Sequence, residues 1–104
     1  MGWTRVVPLD EVPVGRARPV RHGVDPLLVC RLGETEVYVL EDVCSHDESP
    51  LGAQDLDGRA VTCPRHGARF DVTSGAVLRS PAPTGIASFP ARIADGWIEA
   101  DLEA

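Results

Sequence analysis

Residues 43–75 read VCSHDESPLGAQDLDGRAVTCPRHGARFDVTSG and hold four side chains of the kinds that bind metals in proteins. Cys44 and His46 form a C-x-H group, and Cys63 and His66 form a C-x-x-H group after an interval of 16 residues. Each group is short enough to bring both of its donors to one centre. Because the whole chain has three cysteines and three histidines, two such groups at close spacing predict one shared metal site.

Two sulfur and two nitrogen donors suit either a tetrahedral zinc ion or an iron–sulfur cluster. In structural zinc sites, both cysteines usually stand in one group and both histidines in the other. Here each group pairs one cysteine with one histidine. This mixture favours a [2Fe–2S] centre in which one iron takes the two cysteines and the other takes the two histidines. A structural zinc domain with the same four ligands is the alternative on donor chemistry alone.

The apolar segments around this region are short, rich in valine and broken every few residues by glycine, proline or aspartate. That pattern is typical of short strands, and the sequence contains no apolar stripe of helical period. Ser74-Gly75 and Asp95-Gly96 are typical of hairpin turns, because glycine accepts a positive φ without strain. The sequence therefore predicts an all-β fold, a small antiparallel sandwich or barrel. The predicted strands cover residues 4–8, 15–20, 26–32, 36–40, 60–62, 69–72, 76–78, 87–93 and 97–101.

One long segment, residues 41–58, interrupts this series of strands. It contains six carboxylates and no basic residue. In compact domains, loops longer than about 12 residues usually have a function. We therefore expect the segment to serve the metal site. Its negative charge either attracts a basic docking surface or is simply solvated.

Length and charge exclude several other classes of protein. A chain of 104 residues is the size of one domain, and a net charge of −6 argues against a nucleic-acid-binding protein. No apolar run approaches the ~20 residues that a membrane-spanning helix needs, and the N-terminus lacks the apolar stretch of a secretory signal. We therefore expect a cytoplasmic protein, in whose reducing surroundings cysteines bind metals more often than they form disulfides. Cys30, in the apolar run LLVCRL, is expected in the core, and His22 at the surface.

The stretch of residues 43–75 resembles the cluster-binding region of Rieske-type [2Fe–2S] proteins. Both ligand groups are intact, Pro64 and Gly67 flank the second group, and Phe70 follows at the expected distance. The resemblance is strongest to the small ferredoxins of bacterial multicomponent oxygenases. It implies the Rieske fold, in a single domain that covers residues 1–104.

The same resemblance implies how the cofactor is held. A cluster-binding subdomain of two loops is expected at about residues 42–83, with one [2Fe–2S] cluster per chain. In such proteins the two cysteines bind the buried iron and the two histidines bind the outer iron. The resemblance therefore assigns Cys44 and Cys63 to the inner iron, and His46 and His66 to the outer one.

Five further residues are assigned to the surroundings of the cluster by the resemblance. Gly67 allows the backbone to approach the cluster closely, and Pro81 and Pro83 belong to a short loop that covers it. Relatives of high reduction potential carry a serine and a tyrosine where this chain has Ala68 and Phe70, and neither of these side chains can donate an O–H hydrogen bond. Since fewer hydrogen bonds stabilise the reduced cluster less, we predict a potential at the low end of the Rieske range of about −150 to +300 mV.

In function, the resemblance implies a one-electron carrier rather than an enzyme. Such a ferredoxin accepts electrons from an NAD(P)H-dependent flavoprotein reductase and passes them to a terminal Rieske oxygenase, such as an aromatic-ring dioxygenase. We expect a monomer that forms transient complexes with these two partners and binds neither nucleic acid nor membrane. Two other uses of the same fold stay open: the small subunit of an assimilatory nitrite reductase, and a ferredoxin associated with iron–sulfur assembly.

Overall fold

The computed structural model describes residues 2–45, 47–80, 82 and 84–103, and within them it contains eleven strands and one short turn of 3₁₀ helix at Leu9–Glu11. The strands are β1 (Trp3–Pro8), β2 (Arg16–His22), β3 (Asp25–Arg31), β4 (Val37–Glu41), β5 (Gln54–Asp55), β6 (Ala60–Thr62), β7 (Arg69–Asp71), β8 (Val77–Arg79), β9 (Ser88–Phe89), β10 (Ala91–Ala94) and β11 (Trp97–Asp101). The predicted all-β class is confirmed. Over the described ranges, no helix has the length and apolar composition needed to cross a lipid bilayer.

These strands form three antiparallel sheets. A central sheet has the order β5-β2-β3-β4-β9, a base sheet has the order β1-β11-β10, and a third sheet has the order β6-β7-β8. Asp95 and Gly96 close the hairpin between β10 and β11 with φ values of 53° and 78°. Two consecutive positive φ values are what a two-residue hairpin turn of type I′ requires, so the turn predicted at this dipeptide is present.

The central sheet separates two hydrophobic cores, and β3 contributes to both because side chains alternate between the faces of a strand. Leu28 and Cys30 belong to the first core, beside the β6-β7-β8 sheet, and Leu27 and Val29 belong to the second, beside the base sheet. The unbroken apolar run of this strand is therefore explained by burial on both faces. The first core consists of Ala17, Leu28, Cys30, Leu40, Cys44, Leu51, Val61, Cys63, Ala68, Phe70, Val72, Ala82 and Ile86. The second consists of Val7, Val12, Leu27, Val29, Val37, Val39, Ile98 and Ala100.

Two details differ from the predicted strands. The segment predicted as one strand at 87–93 is two strands, β9 in the central sheet and β10 in the base sheet, divided at Pro90. Proline has no N–H to give to a sheet, so the chain changes sheets at this residue. Strand β5 is absent from the prediction because Gln54 and Asp55 have little strand propensity. They become a strand only through their pairing with β2.

Candidate metal centre

The first ligand loop follows β4 and turns tightly after Cys44. The N–H of Cys44 donates to the carbonyl of Ser49 at 2.7 Å, and the N–H of Glu48 donates to the carbonyl of Cys44 at 2.7 Å. Glu48 closes this turn with a φ of 62°, in the left-handed region that residues other than glycine rarely adopt. His46, the second predicted ligand of this loop, lies outside the described residues.

The second ligand loop joins β6 to β7 and repeats the same turn around Cys63. The N–H of Cys63 donates to the carbonyl of Ala68 at 2.7 Å, and the N–H of Gly67 donates to the carbonyl of Cys63 at 3.0 Å. Gly67 occupies the position that Glu48 has in the first loop, with a φ of 78°, which glycine adopts without strain. The two loops therefore present their cysteines from equivalent positions in one kind of turn.

These turns bring the two cysteines together. The Sγ atoms of Cys44 and Cys63 and a carboxylate oxygen of Asp47 all lie within 4.8 Å of one another. Both cysteines are part of the first core, at 0% and 1% exposure. The side chain of His66 is 45% exposed, and its Nδ1 lies 3.6 Å from Oδ2 of Asp47. The site thus has its sulfur donors on the inside and an imidazole at the surface.

Two side chains that the sequence analysis did not identify fix the ends of these loops. Oδ1 of the buried Asp42 accepts the N–H groups of Leu51 and Gly52 at 2.8 Å and 3.1 Å, which closes the first loop at its base. Gln54 joins that loop to β6: its Oε1 accepts the N–H of Thr62 at 2.8 Å, and its Nε2 donates to the carbonyl of Thr62 at 3.0 Å. Since Thr62 directly precedes the second cysteine, the amide of Gln54 positions one ligand loop against the other.

The described residues between β8 and β9, at 80, 82 and 84–87, form a third loop beside the first ligand loop. Pro81 and Pro83, predicted to cover the cluster, lie outside the described residues. Ala82 between them is buried in the first core, which also contains both metal-site cysteines. The Ser45 hydroxyl donates to the carbonyl of Thr84 at 2.5 Å. The segment is therefore attached to the ligand loop at the residue that follows its cysteine.

The remaining residues predicted around the cluster also belong to this region. Ala68 and Phe70 are fully buried in the first core, together with Cys44 and Cys63. Neither Ala68 nor Phe70 carries an O–H group. Apart from its chain neighbours, no described residue would lie within 4 Å of a Cβ added at Gly67, so the positive φ is the reason for a glycine that the described part of the chain shows.

The carboxylates of residues 41–58 are less uniformly exposed than the sequence suggests. Three of them are paired with arginines from other parts of the chain. The pairs are Asp47 with Arg65 at 3.2 Å, Asp55 with Arg16 at 2.8 Å, and Asp57 with Arg69 at 2.6 Å. Arginines outside the segment therefore compensate part of its negative charge, which weakens its attraction for a distant basic surface.

Cys30 is buried in β3, as expected, and its thiol is not part of the group that Cys44, Asp47 and Cys63 form among the described residues. Burial, assisted by the carboxylate of Asp42, raises the pKa of Cys30 to about 12. A thiol binds metals as the thiolate, so at neutral pH this one stays protonated in the core. His22, at the end of β2, is exposed, also as expected.

A family model for the Rieske [2Fe–2S] domain matches residues 2–90 of the chain. The chain therefore belongs to the Rieske [2Fe–2S] family, and its cofactor is a [2Fe–2S] cluster. Ferredoxin CarAc of Metapseudomonas resinovorans is 34% identical to it over 97 residues, which cover 92% of this chain and 90% of that protein. The ferredoxin component of the naphthalene 1,2-dioxygenase system of Pseudomonas aeruginosa is 31% identical over 100 residues, which cover 96% of this chain and 95% of that protein.

A solved structure extends the comparison to three dimensions. It is the complex of reduced oxygenase and oxidized ferredoxin in carbazole 1,9a-dioxygenase. One of its chains matches this protein with a TM-score of 0.84 and 31% identity, over 94% of this chain and 91% of that chain. The predicted Rieske fold is confirmed. So is the predicted class of protein, a ferredoxin that carries electrons, because the relatives are ferredoxin components and not catalytic subunits.

The described side chains fit the cluster that the family implies. Rieske clusters bind one iron through two cysteines and the other through two histidines. The structure provides two buried thiols within 4.8 Å of each other and a half-exposed imidazole in the same loop as one of them. An inner iron can therefore be bound by sulfur and an outer iron by nitrogen.

Proposed function

We propose that this protein is the one-electron carrier of a bacterial oxygenase system. In this role it receives electrons from an NAD(P)H-dependent flavoprotein reductase and delivers them to a terminal Rieske oxygenase. The observation that carries the proposal is the arrangement of the site: two buried thiols and, at the surface, an imidazole through which an electron can leave. The likeness to the ferredoxin chain of a solved oxygenase–ferredoxin complex supports the choice of acceptor.

Within that function, we assign the cluster ligands residue by residue. Cys44 and Cys63 bind the inner iron, and His46 and His66 bind the outer iron. The burial of both cysteines and the partial exposure of His66 support this division. The whole chain acts as one Rieske domain, in which residues 42–83 form the cluster-binding subdomain.

The chain's own residues hold the cofactor and exclude water from it. When bound, the cluster accepts and releases one electron, and no substrate bond is formed or broken. Ala68 and Phe70 pack around the thiols and keep the inner side dry, while the third loop, held by the hydrogen bond from Ser45 to Thr84, covers the site from the side. A rigid, dry surrounding reduces the reorganisation that accompanies electron transfer, because few dipoles have to move.

The reduction potential lies at the low end of the Rieske range. Ala68 and Phe70 cannot donate O–H hydrogen bonds to the cluster, and such bonds stabilise the reduced state. A low potential suits a carrier that takes its electrons from a reduced flavin. We expect the protein to be a monomer in the cytoplasm, where NAD(P)H is the source of electrons. Its complexes with the two partners are transient, with interfaces at the small end of the size range.

The spectrum of the anaerobically purified protein tests the proposal. We expect two irons and two sulfides per chain, a reddish-brown colour that bleaches on reduction, and a potential far above the ~ −400 mV of four-cysteine plant-type ferredoxins. The His66→Ala variant should lose this signature, whereas His22→Ala, which changes an exposed histidine away from the site, should keep it. A colourless protein that holds one zinc after iron-rich expression would overturn the proposal.

The carrier role needs a second measurement. In a rapid-mixing experiment, the reduced protein should reoxidise when it meets an oxidised Rieske oxygenase, with loss of one electron per chain. The reductase alone should reduce it in the presence of NADH or NADPH. An intact cluster that exchanges electrons with neither partner class would leave the ligand assignment standing and reject the function.

A further inference from the structure

Asp47 lies between the two ligand loops and contacts both. Its Oδ1 accepts the N–H of Ser49 at 3.1 Å within the first loop. Its Oδ2 lies 3.2 Å from Nε of Arg65 and 3.6 Å from Nδ1 of His66, both in the second loop. One carboxylate therefore connects the loops at the point where each presents its ligands.

The same carboxylate lies against the sulfur donors. One of its oxygens is within 4.8 Å of the Sγ atoms of both Cys44 and Cys63. The side chain of Asp47 is only 22% exposed. Its negative charge is thus partly shielded from water at the place where the cluster binds.

We propose that Asp47 is a positioning residue of the cluster site, which ties the two ligand loops together and lowers the reduction potential. This inference rests on the proposed ligands, since it places the carboxylate beside the cluster that they bind. Reduction adds one electron to the cluster. A fixed negative charge nearby makes that addition less favourable, and the effect is strong because a partly buried charge is weakly screened.

Arg65 opposes this effect only in part. Its side chain is 64% exposed, against 22% for Asp47. Water and salt therefore screen the guanidinium more than they screen the carboxylate, and an exposed ion pair of this kind is weak. We therefore expect the carboxylate to outweigh the guanidinium at the sulfur donors. Arg65 serves mainly to hold the carboxylate in place from the second loop.

The potential of the loaded protein tests the electrostatic half of the proposal. Asp47→Asn keeps an oxygen that can accept the Ser49 N–H and removes the charge, so the potential should rise. Glu48→Gln is the matched control, because it removes one charge from the neighbouring residue, whose side chain is exposed. The shift of the potential in Glu48→Gln should be less than half of that in Asp47→Asn. Arg65→Gln should move the potential in the opposite direction, because it removes the compensating positive charge.

The rate of iron loss to an excess of chelator tests the structural half. Breaking the link between the loops should speed the loss about two- to fivefold in Asp47→Asn, which corresponds to about 0.4–1 kcal/mol. Glu48→Gln should leave the rate unchanged. The double variant of Asp47→Asn with Arg65→Gln should lose iron no faster than Asp47→Asn alone, since both changes break the same contact.

Each outcome separates this inference from the proposed function. Equal shifts of the reduction potential in Asp47→Asn and Glu48→Gln would overturn the inference, and so would a rise of the potential in Arg65→Gln. A wild-type spectrum of a [2Fe–2S] cluster would still uphold the proposed function in either case. If Asp47→Asn assembles no cluster, Asp47→Ser, which also removes the charge, is compared with Glu48→Gln by the same criterion. A wild-type protein without a [2Fe–2S] spectrum would instead reject the proposed ligands, and the inference with them.

Discussion

At the scale of single residues, the two ligand loops make the same turn, but the free-energy cost of its positive φ differs between them. Each has a residue of positive φ four positions after its cysteine, Glu48 at 62° and Gly67 at 78°. An L-residue in the left-handed region costs about 1–2 kcal/mol, because its Cβ crowds the backbone, whereas glycine carries no such cost. The first loop therefore stores backbone strain that the second avoids.

We expect Glu48→Gly to stabilise the protein by up to about 1 kcal/mol, since the relief of strain exceeds the extra freedom that glycine gives the unfolded chain. For a domain of this size, that corresponds to a rise of about 4–8 °C in the thermal midpoint of the cluster-loaded protein. Gly67→Ala is the reciprocal change. It should lower the midpoint through its positive φ, because its Cβ would meet no described residue beyond its chain neighbours within 4 Å. A lower midpoint for Glu48→Gly would show that the Glu48 side chain has a stabilising role that offsets the strain.

Cys30 is predicted to be chemically inert in the folded protein. With its pKa raised to about 12 by burial and by Asp42, the thiol is ionised to only about one part in ten thousand at pH 8, and the thiolate is the reactive form. Because the folded pKa is raised, reactivity should appear only as the pH approaches that value or when the chain unfolds. Alkylation at pH 8 followed by mass spectrometry should leave Cys30 unmodified in the loaded protein and label it fully in denaturant. Rapid labelling of the folded protein would contradict the burial.

At the scale of elements, the third loop is held against the turn between β7 and β8 by backbone contact. The N–H of Ile86 donates to the carbonyl of Gly75 at 2.8 Å. A Cβ at Gly85 would come within 2.5 Å of that same carbonyl oxygen, and a Cβ at Gly75 would collide with the carbonyl of Ile86. Both glycines are therefore required for the two segments to approach so closely.

Gly85→Ala should displace the third loop and expose the metal site. We expect a loss of stability of about 1–3 kcal/mol, as for overpacked sites, and faster removal of iron by a chelator than in the wild type. Gly33→Ala, in the turn between β3 and β4, is the control, because its Cβ would make only an ordinary contact at 3.7 Å with Glu36. Equal rates of iron removal in the two variants would mean that the third loop does not shield the site.

Some elements and site residues follow from local sequence, and others depend on how distant parts of the chain meet. Strands β3 and β4 were predictable because apolar residues of strand propensity are contiguous in each. The ligand groups were predictable because the spacing of cysteine and histidine is local. Asp42, Asp47 and Gln54 were not, since their partners are defined by how the loops fold back. Asp47, for instance, contacts Arg65, which lies 18 positions further along the chain, and no local pattern encodes such a pairing.

At the scale of the whole molecule, the central sheet separates two cores that differ in their dependence on the cofactor. The first core contains Cys44 and Cys63 and is closed by short strands of two or three residues and by loops. The second core, around Ile98, contains neither metal-site cysteine and is covered by the longer strands β1 and β11. Burial of apolar surface stabilises the second core directly, whereas the first also relies on its loops being joined through the bound cluster.

Removal of the cluster should therefore loosen one half of the molecule before the other. Amide hydrogen exchange is measured before and after anaerobic removal of the cluster by a chelator. We expect the fold-decrease in protection of β6, β7 and β8 to be on the order of 100 times that of β1, β10 and β11, because local stability follows local contacts. The Ile98→Ala variant with its cluster intact should reverse the order, since it opens a cavity in the second core at a cost of about 2–5 kcal/mol. A uniform loss of protection in both experiments would show that the central sheet, which contributes residues to both cores, couples them into a single cooperative unit. In that case the cluster would stabilise the fold as a whole, and its loss would expose the base sheet as readily as the ligand loops.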